Sequence, residues 1–266
     1  MHSLTSIYVV PEVSSEAVAE FLSRSGRVTD ILLLQTPEQA FQQRLVTRLR
    51  AVSLSPAEAQ HRLLQMETLL AFTPGVVSLL QGDEYMEERN MGAHPAALTL
   101  QESVGTLSGD VWTRQGADFG KFLALRSLLA IRSEWNLMEP HAMTRIAEDA
   151  ADSLLAMALE DSPLVLLLRT AATEETWGRR GCVRSRVSVE LPTTCGEETE
   201  WSLAFDSDAR GLLDGTQEVM EPIPVYNCSA TNKEWGKAGR VRSRERWCVN
   251  VFLGSFAVKI LRREKC

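Results

Sequence analysis

Cysteine is missing before Cys182, and the five present (Cys182, Cys195, Cys228, Cys248 and Cys266) form no C-x-x-C pair. The four histidines, His2, His61, His94 and His141, all precede them in the chain, so no zinc-ligand spacing exists and no metal or other cofactor is implied. Uncharged apolar runs of the roughly 18 residues a spanning helix needs are also missing. The best candidate, Thr68 to Gly82, is interrupted by Thr73-Pro74-Gly75. No basic stretch leads into an apolar run with a small-residue cleavage site at the N-terminus, so a secretory route is not expected. Free thiols in a reducing, cytoplasmic setting follow as the expectation. The Asn227-Cys228-Ser229 glycosylation pattern would then never meet its enzyme.

Catalytic signatures are scarce too. Gly105, Gly109, Gly116 and Gly120 make neither a dinucleotide fingerprint nor a phosphate loop. His94-Pro95 and Glu139-Pro140-His141 put histidine near carboxylate or proline, yet no nucleophile or oxyanion motif accompanies them, and they read as helix boundaries. The residues alone therefore predict a binding protein and not an enzyme.

What is present is enough apolar material, 44% of the residues, to bury a core without staples. The net charge of −7 is uneven: residues 1–166 carry 12 Lys/Arg against 21 Asp/Glu, and residues 167–266 carry 16 against 14. An acidic front argues against nucleic acid along the whole chain and suits a basic protein partner.

Residues 4–10 are β-favouring and stop at Pro11; Ala17, Val18, Phe21 and Leu22 recur at helical spacing; Val28 to Leu34 is extended again. Residues 1–35 thus read as a strand-helix-strand proximal lobe. Thr36-Pro37-Glu38-Gln39 and Ser55-Pro56-Ala57-Glu58 are helix starts, with a hydroxyl cap, proline at the first position and Gln or Glu three residues on. The first helix would carry Phe41, Leu45, Val46 and Leu49 on one stripe, the second Leu63, Leu64, Met66, Leu69 and Leu70. After a loop-rich region at 82–120, helical spacing returns at 117–138 and 142–160. Residues 36–161 therefore predict a helical rod or antiparallel, coiled-coil-like hairpin. Residues 162–266 read as a β-rich distal lobe with a long insertion at 192–245. The fold class expected is α+β: a long helical rod joining small α/β lobes.

The segment Gln39 to Arg50 resembles the first helix of subunit a of the vacuolar-type proton-pumping ATPase, whose corresponding helix opens on a Phe-Gln-Arg motif. Ile7 to Pro11, Val18 to Gly26, Val28 to Leu34 and Arg62 to Glu67 are similar to neighbouring elements in the same order. Trp177 to Val183 and Val251 to Cys266 are similar to later ones. The likeness covers only the front of that subunit's cytosolic half, so proton conduction does not carry over. It implies a non-catalytic stator component of the proton-translocating ATPase, or a paralogue of one. Such a protein would bind peripheral-stalk subunits at the cytosolic face of a vacuolar or endomembrane compartment. A free-standing scaffold or adaptor is the alternative.

Two patches stand out as binding surfaces. Phe41, Arg44, Arg48 and Arg50 are candidates for partner contact. Lys237, Arg240, Arg242 and Arg244, in a stretch where five of ten residues are basic, are candidates for anionic lipid headgroups.

Overall fold

The protein is seen in a computed structural model that describes residues 6–11, 15–25, 29–53, 55–80, 117–138, 143–149, 154–159, 162–170, 185–191, 200–207, 222–228, 247–254 and 256–265. The chain opens with strand β1 (Ile7–Val9), helix α1 (Ser15–Arg24) and strand β2 (Ile31–Leu33). The two strands are parallel, Ile7 opposite Ile31 and Val9 opposite Leu33. Strand β3 (Val76–Ser78) adds to β2, also parallel, so the sheet order is β1-β2-β3. Every connection within it contains helix, as parallel neighbours require.

Helices α2 (Pro37–Gln42), α3 (Leu45–Val52) and α4 (Pro56–Phe72) fill the step from β2 to β3. Thr36 caps α2 with a complete capping box: its hydroxyl accepts from the Gln39 amide at 3.2 Å and its amide donates to Gln39 Oε1 at 2.8 Å. Ser55 caps α4 through the Glu58 amide at 3.1 Å, while the Glu58 carboxylate turns instead to Arg62 at 2.7 Å. The single helix expected from Gln39 to Arg50 is broken at Gln43-Arg44, both extended. The break is held by Gln35, whose buried Oε1 accepts from the Leu45 amide at 2.9 Å. Leu45, Val46 and Leu49 are buried, but Phe41, on the far side of the break, is 60% exposed.

The expected helical rod is not there. Helix α5 (Ala117–Glu134) packs on α4, but the stretch expected to be helical at 142–160 contains an antiparallel pair, β4 (Met143–Asp149) and β5 (Leu154–Leu159). They open a six-stranded antiparallel sheet, β4-β5-β6-β12-β8-β9, with β6 Leu164–Arg169, β8 Glu200–Asp206, β9 Pro222–Ile223 and β12 Val258–Lys265. Beside it lies a three-stranded sheet, β10-β11-β7, of Val225–Asn227, Trp247–Leu253 and Ser185–Glu190. The fold is sheet-rich, with no long helical hairpin among the described residues.

The layers follow from which face each side chain takes, because successive residues of a strand point to opposite sides. Leu155, Met157, Leu159, Leu164, Leu166 and Leu168 share one core with the helices and the parallel sheet. Leu154, Ala156, Ala158, Val165 and Leu167 share another with Val187, Val189, Val249, Val251 and Leu253 of the three-stranded sheet. The six-stranded sheet is thus the middle layer. Its central strands are apolar on both faces, which erases the polar alternation by which a strand is recognised and leaves a run that mimics a helix.

Polar contacts stitch the layers. Gln65 in α4 donates to the Arg169 carbonyl of β6, and Arg169 Nη1 donates to the Leu253 carbonyl of β11 at 3.0 Å. Lys259 of β12 pairs with Asp206 of β8 within the fold, and Arg62 of α4 lies over the Phe256 ring at 4.5 Å. Cys228 and Cys248 are joined in a disulfide, Cα atoms 5.8 Å apart, contrary to the expectation of free thiols. It ties edge strand β10 to β11 across 20 residues of sequence.

Leu166→Ala should destabilise the protein by about 2–5 kcal/mol in urea unfolding, the cost of a core leucine deletion. Exposed Phe252→Ala should stay within about 0.5 kcal/mol. Replacing Cys228 and Cys248 together by serine should lower stability by about 3 kcal/mol, the loop-closure value for a loop of this length. Alkylation of unfolded, unreduced protein should leave both cysteines unlabelled.

Candidate functional site

Parallel α/β sheets put their chemistry at the carboxyl ends of the strands, where the loops into the helices gather. Here those ends are Val10-Pro11 after β1, Leu34-Gln35-Thr36 after β2 and Leu79-Leu80 after β3. The β2 end is the most polar. Gln35 is buried and committed to the Leu45 amide, and Thr36 to the cap of α2. Beyond them Gln39, Phe41 and Gln42 are exposed on the short helix that leaves the strand, and Gln43 is exposed at its extended C-cap. An exposed aromatic ring near side-chain amides offers one flat apolar face and several donors and acceptors, with Glu38 on the same helix and Arg48 Nη1 at the Gln43 carbonyl.

The described strand ends bring no pair of carboxylates together. Glu38 is the acidic residue in the first turn of α2, and it is exposed. Asp30 is buried, but it precedes β2, at the opposite end of the sheet, where its carbonyl accepts from the Val76 amide at 2.8 Å. Residues at that end serve stability. No group of three or more His, Cys, Asp and Glu side chains suited to a metal occurs among the described residues.

Arg132 of α5 holds the turn that enters β3, at the amino end of the strand. Its Nη1 donates to the carbonyls of Ala71 and Thr73, each at 2.7 Å, and its Nη2 to that of Gly75. These carbonyls lie where α4 ends and the chain turns into β3. Gly75 has φ 135°, a conformation open to glycine and strained for other residues. Burial lowers the Arg132 pKa to about 10, still high enough to keep it charged at neutral pH. The carbonyl dipoles at a helix C-terminus compensate a buried cation. This clamp gives no signal in sequence, because its partners are backbone atoms 57 to 61 residues away.

Among the partner-contact candidates, Phe41 and Arg50 are exposed, Arg48 is half-buried with Nη1 near the Gln43 carbonyl at 3.4 Å, and Arg44 is buried at 4% exposure. The structure therefore does not unite the three arginines on one solvent face. Lys237, Arg240, Arg242 and Arg244 lie outside the described residues. No described helix is long and apolar enough to cross a membrane.

No protein-family model and no curated protein matches the sequence. Solved structures do match in fold. An Anoxybacillus α-amylase, described as a new glycosyl hydrolase subclass, superposes over 94% of this chain and 43% of its own, with a TM-score of 0.51 and 12% identity. The debranching enzyme from Nostoc punctiforme does so over 88% and 35%, with a TM-score of 0.50 and 14% identity. For the pullulanase from Bacillus acidopullulyticus the figures are 88% and 24%, 0.51 and 13%. The chain spans less than half the length of each. At such identity the likeness is one of fold: a parallel α/β layer continued into antiparallel sheets.

This fold overturns the vacuolar ATPase resemblance. Gln39 to Arg50, the stretch on which it chiefly rested, is a broken pair of short helices, and the helical rod it agreed with is replaced in part by the start of an antiparallel sheet. The stator function, the proton-transport role, the coiled coil and the free-standing scaffold alternative lose their structural basis with it. The expectation of a non-enzyme is corrected as well, since the solved chains that share the fold are described as a debranching enzyme, an α-amylase and a pullulanase.

Arg132→Met should cost about 3–5 kcal/mol in urea unfolding by stranding buried carbonyls. Arg132→Lys, which keeps the charge but lacks the fork, should fall between wild type and Arg132→Met.

Proposed function

We propose that this protein processes carbohydrate, as part of a glycoside hydrolase-type architecture, with α-linked glucans as the substrate class. The single observation that carries the reading is the fold shared over nearly the whole chain with an α-amylase, a debranching enzyme and a pullulanase. The chemistry of the β2 end agrees with it. A pyranose presents a flat C–H face to an aromatic ring and hydroxyls to amides, and the exposed set Gln39, Phe41, Gln42 and Gln43 offers both.

Hydrolysis of a glycosidic bond needs two carboxyl groups, roughly 5–5.5 Å apart for retention and 6.5–9.5 Å for inversion. The described part of the site supplies no such pair, so its role in this reading is to hold sugar units. Phe41 stacks on a ring, and the amides of Gln42 and Gln43 take its hydroxyls. Arg132 acts at a distance, by fixing the turn that delivers β3.

Affinity electrophoresis through gels containing soluble starch or pullulan should retard the protein. Phe41→Ala should weaken that retardation about tenfold while leaving the unfolding midpoint unchanged, because the ring is exposed and its loss opens no cavity. Migration unaffected by every α-glucan, with no reducing ends released from maltooligosaccharides, would remove the proposal.

A further inference from the structure

The three-stranded sheet turns one face to the six-stranded sheet and the other outward. Val187, Val189, Val249 and Val251 fill the inner face. The residues between them therefore point the other way, Arg186, Ser188 and Glu190 on β7, Asn250 and Phe252 on β11. Tyr226 of β10 is opposite Cys248 and shares that outer face. The Tyr226 hydroxyl donates to Asn250 Oδ1 at 3.1 Å, and because a phenol carries one proton, its bond with Ser188 is donated by Ser188. Ser188 stands two strands away from β10, about 10 Å at the usual sheet spacing. The Tyr226 ring must lean across β11 along the sheet surface to make both contacts. The Cys228–Cys248 disulfide fastens its strand two residues further on.

This pinned ring is half-buried, and a second ring lies beside it. Phe252 is 55% exposed, two residues beyond Asn250 and so about 7 Å further along β11. Between the rings Asn250 has its carbonyl oxygen engaged, while its amide nitrogen makes no hydrogen bond among the described residues. Ser188 is exposed and, having given its proton to the phenol, keeps lone pairs for an incoming donor. A donor and an acceptor side by side match a hydroxyl, which gives one proton and takes one. A phosphate oxygen only accepts. The charges beside the strip, Arg186 and Glu190, are opposite in sign, and the chain carries −7 overall. The described residues of this face thus lack the basic groove that a nucleic acid strand requires. A neutral chain of units with apolar ring faces and hydroxyls at their rims is the complement, and pyranose units have that character.

We infer that the outer face of β7, β10 and β11 is a second glucan-binding site. Tyr226 and Phe252 stack on units of one chain, and Asn250 and Ser188 take the hydroxyls between them. The inference rests on the α-glucan reading for its ligand class and adds a separate place of attachment. The six-stranded sheet lies between this face and the helical layer that carries Phe41.

The chain has three tyrosines, so incorporation of meta-fluorotyrosine gives a simple fluorine NMR spectrum in which Tyr226 is identified by its loss in Tyr226→Phe. Maltoheptaose should shift the Tyr226 signal saturably, in the wild type and equally in Phe41→Ala. Phe252→Ala, which removes an exposed ring and leaves the fold intact, should weaken that titration about tenfold, the worth of one stacked ring. In the Phe41→Ala background, Tyr226→Phe keeps the ring but frees it from Ser188 and Asn250, and should reduce the remaining retardation by soluble starch. A Tyr226 signal unmoved by maltoheptaose while Phe41-dependent retardation persists would overturn this inference alone. So would an equal shift with oligothymidylate, the mark of general stacking on exposed rings. Loss of both shift and retardation would remove the α-glucan reading along with it.

Discussion

Double burial of the middle sheet is the constraint on which the rest of the structure depends. Strands β5 and β6 are buried along their whole length, alternate side chains feeding two different cores. At about 1.5–3 kcal/mol for each fully buried large aliphatic side chain, this sheet concentrates the hydrophobic stabilisation. It also fixes geometry. The helical layer and the three-stranded sheet never need to touch, because each is referenced to the same strands from opposite sides. Arg169 illustrates the point: its carbonyl takes the Gln65 amide from the helical side, while its guanidinium reaches Leu253 on the other.

The same constraint explains what was legible in the sequence. Turn and cap chemistry is local, so Thr36-Pro37 and Ser55-Pro56 disclosed the starts of α2 and α4 correctly. Leu164 to Leu168 was recognisable as a strand because Pro163 precedes it and the run is short. Residues 154–159 were missed because a strand buried on both faces carries no alternation, and Leu154-Leu155 with Met157 and Leu159 satisfies helical spacing equally well. The break after Phe41 failed for another reason. It is set by the Gln35 side chain reaching ten residues along the chain, a tertiary choice that propensity does not record.

The site was less legible than the fold. Phe41 was singled out from sequence as a contact residue and is exposed, but its grouping with Arg44 assumed one continuous helix. Once the helix breaks, Arg44 turns inward and the exposed neighbours of the ring become glutamines. That exchange removes Arg44 from the patch. Arg132 illustrates the opposite limit. A buried cation held only by carbonyls has no partner residue type to search for, so coordinates alone reveal it.

Hydrogen exchange read by mass spectrometry over residues 142–170 tests the three-layer arrangement most directly. If the six-stranded sheet is buried on both faces, amides of β5 and β6 exchange only through global unfolding and are the slowest in the protein. Their protection should fall together with that of β12, the strand on the other side of β6. Exchange over 154–169 that is faster than in α4, or uncoupled from β12, would contradict the arrangement.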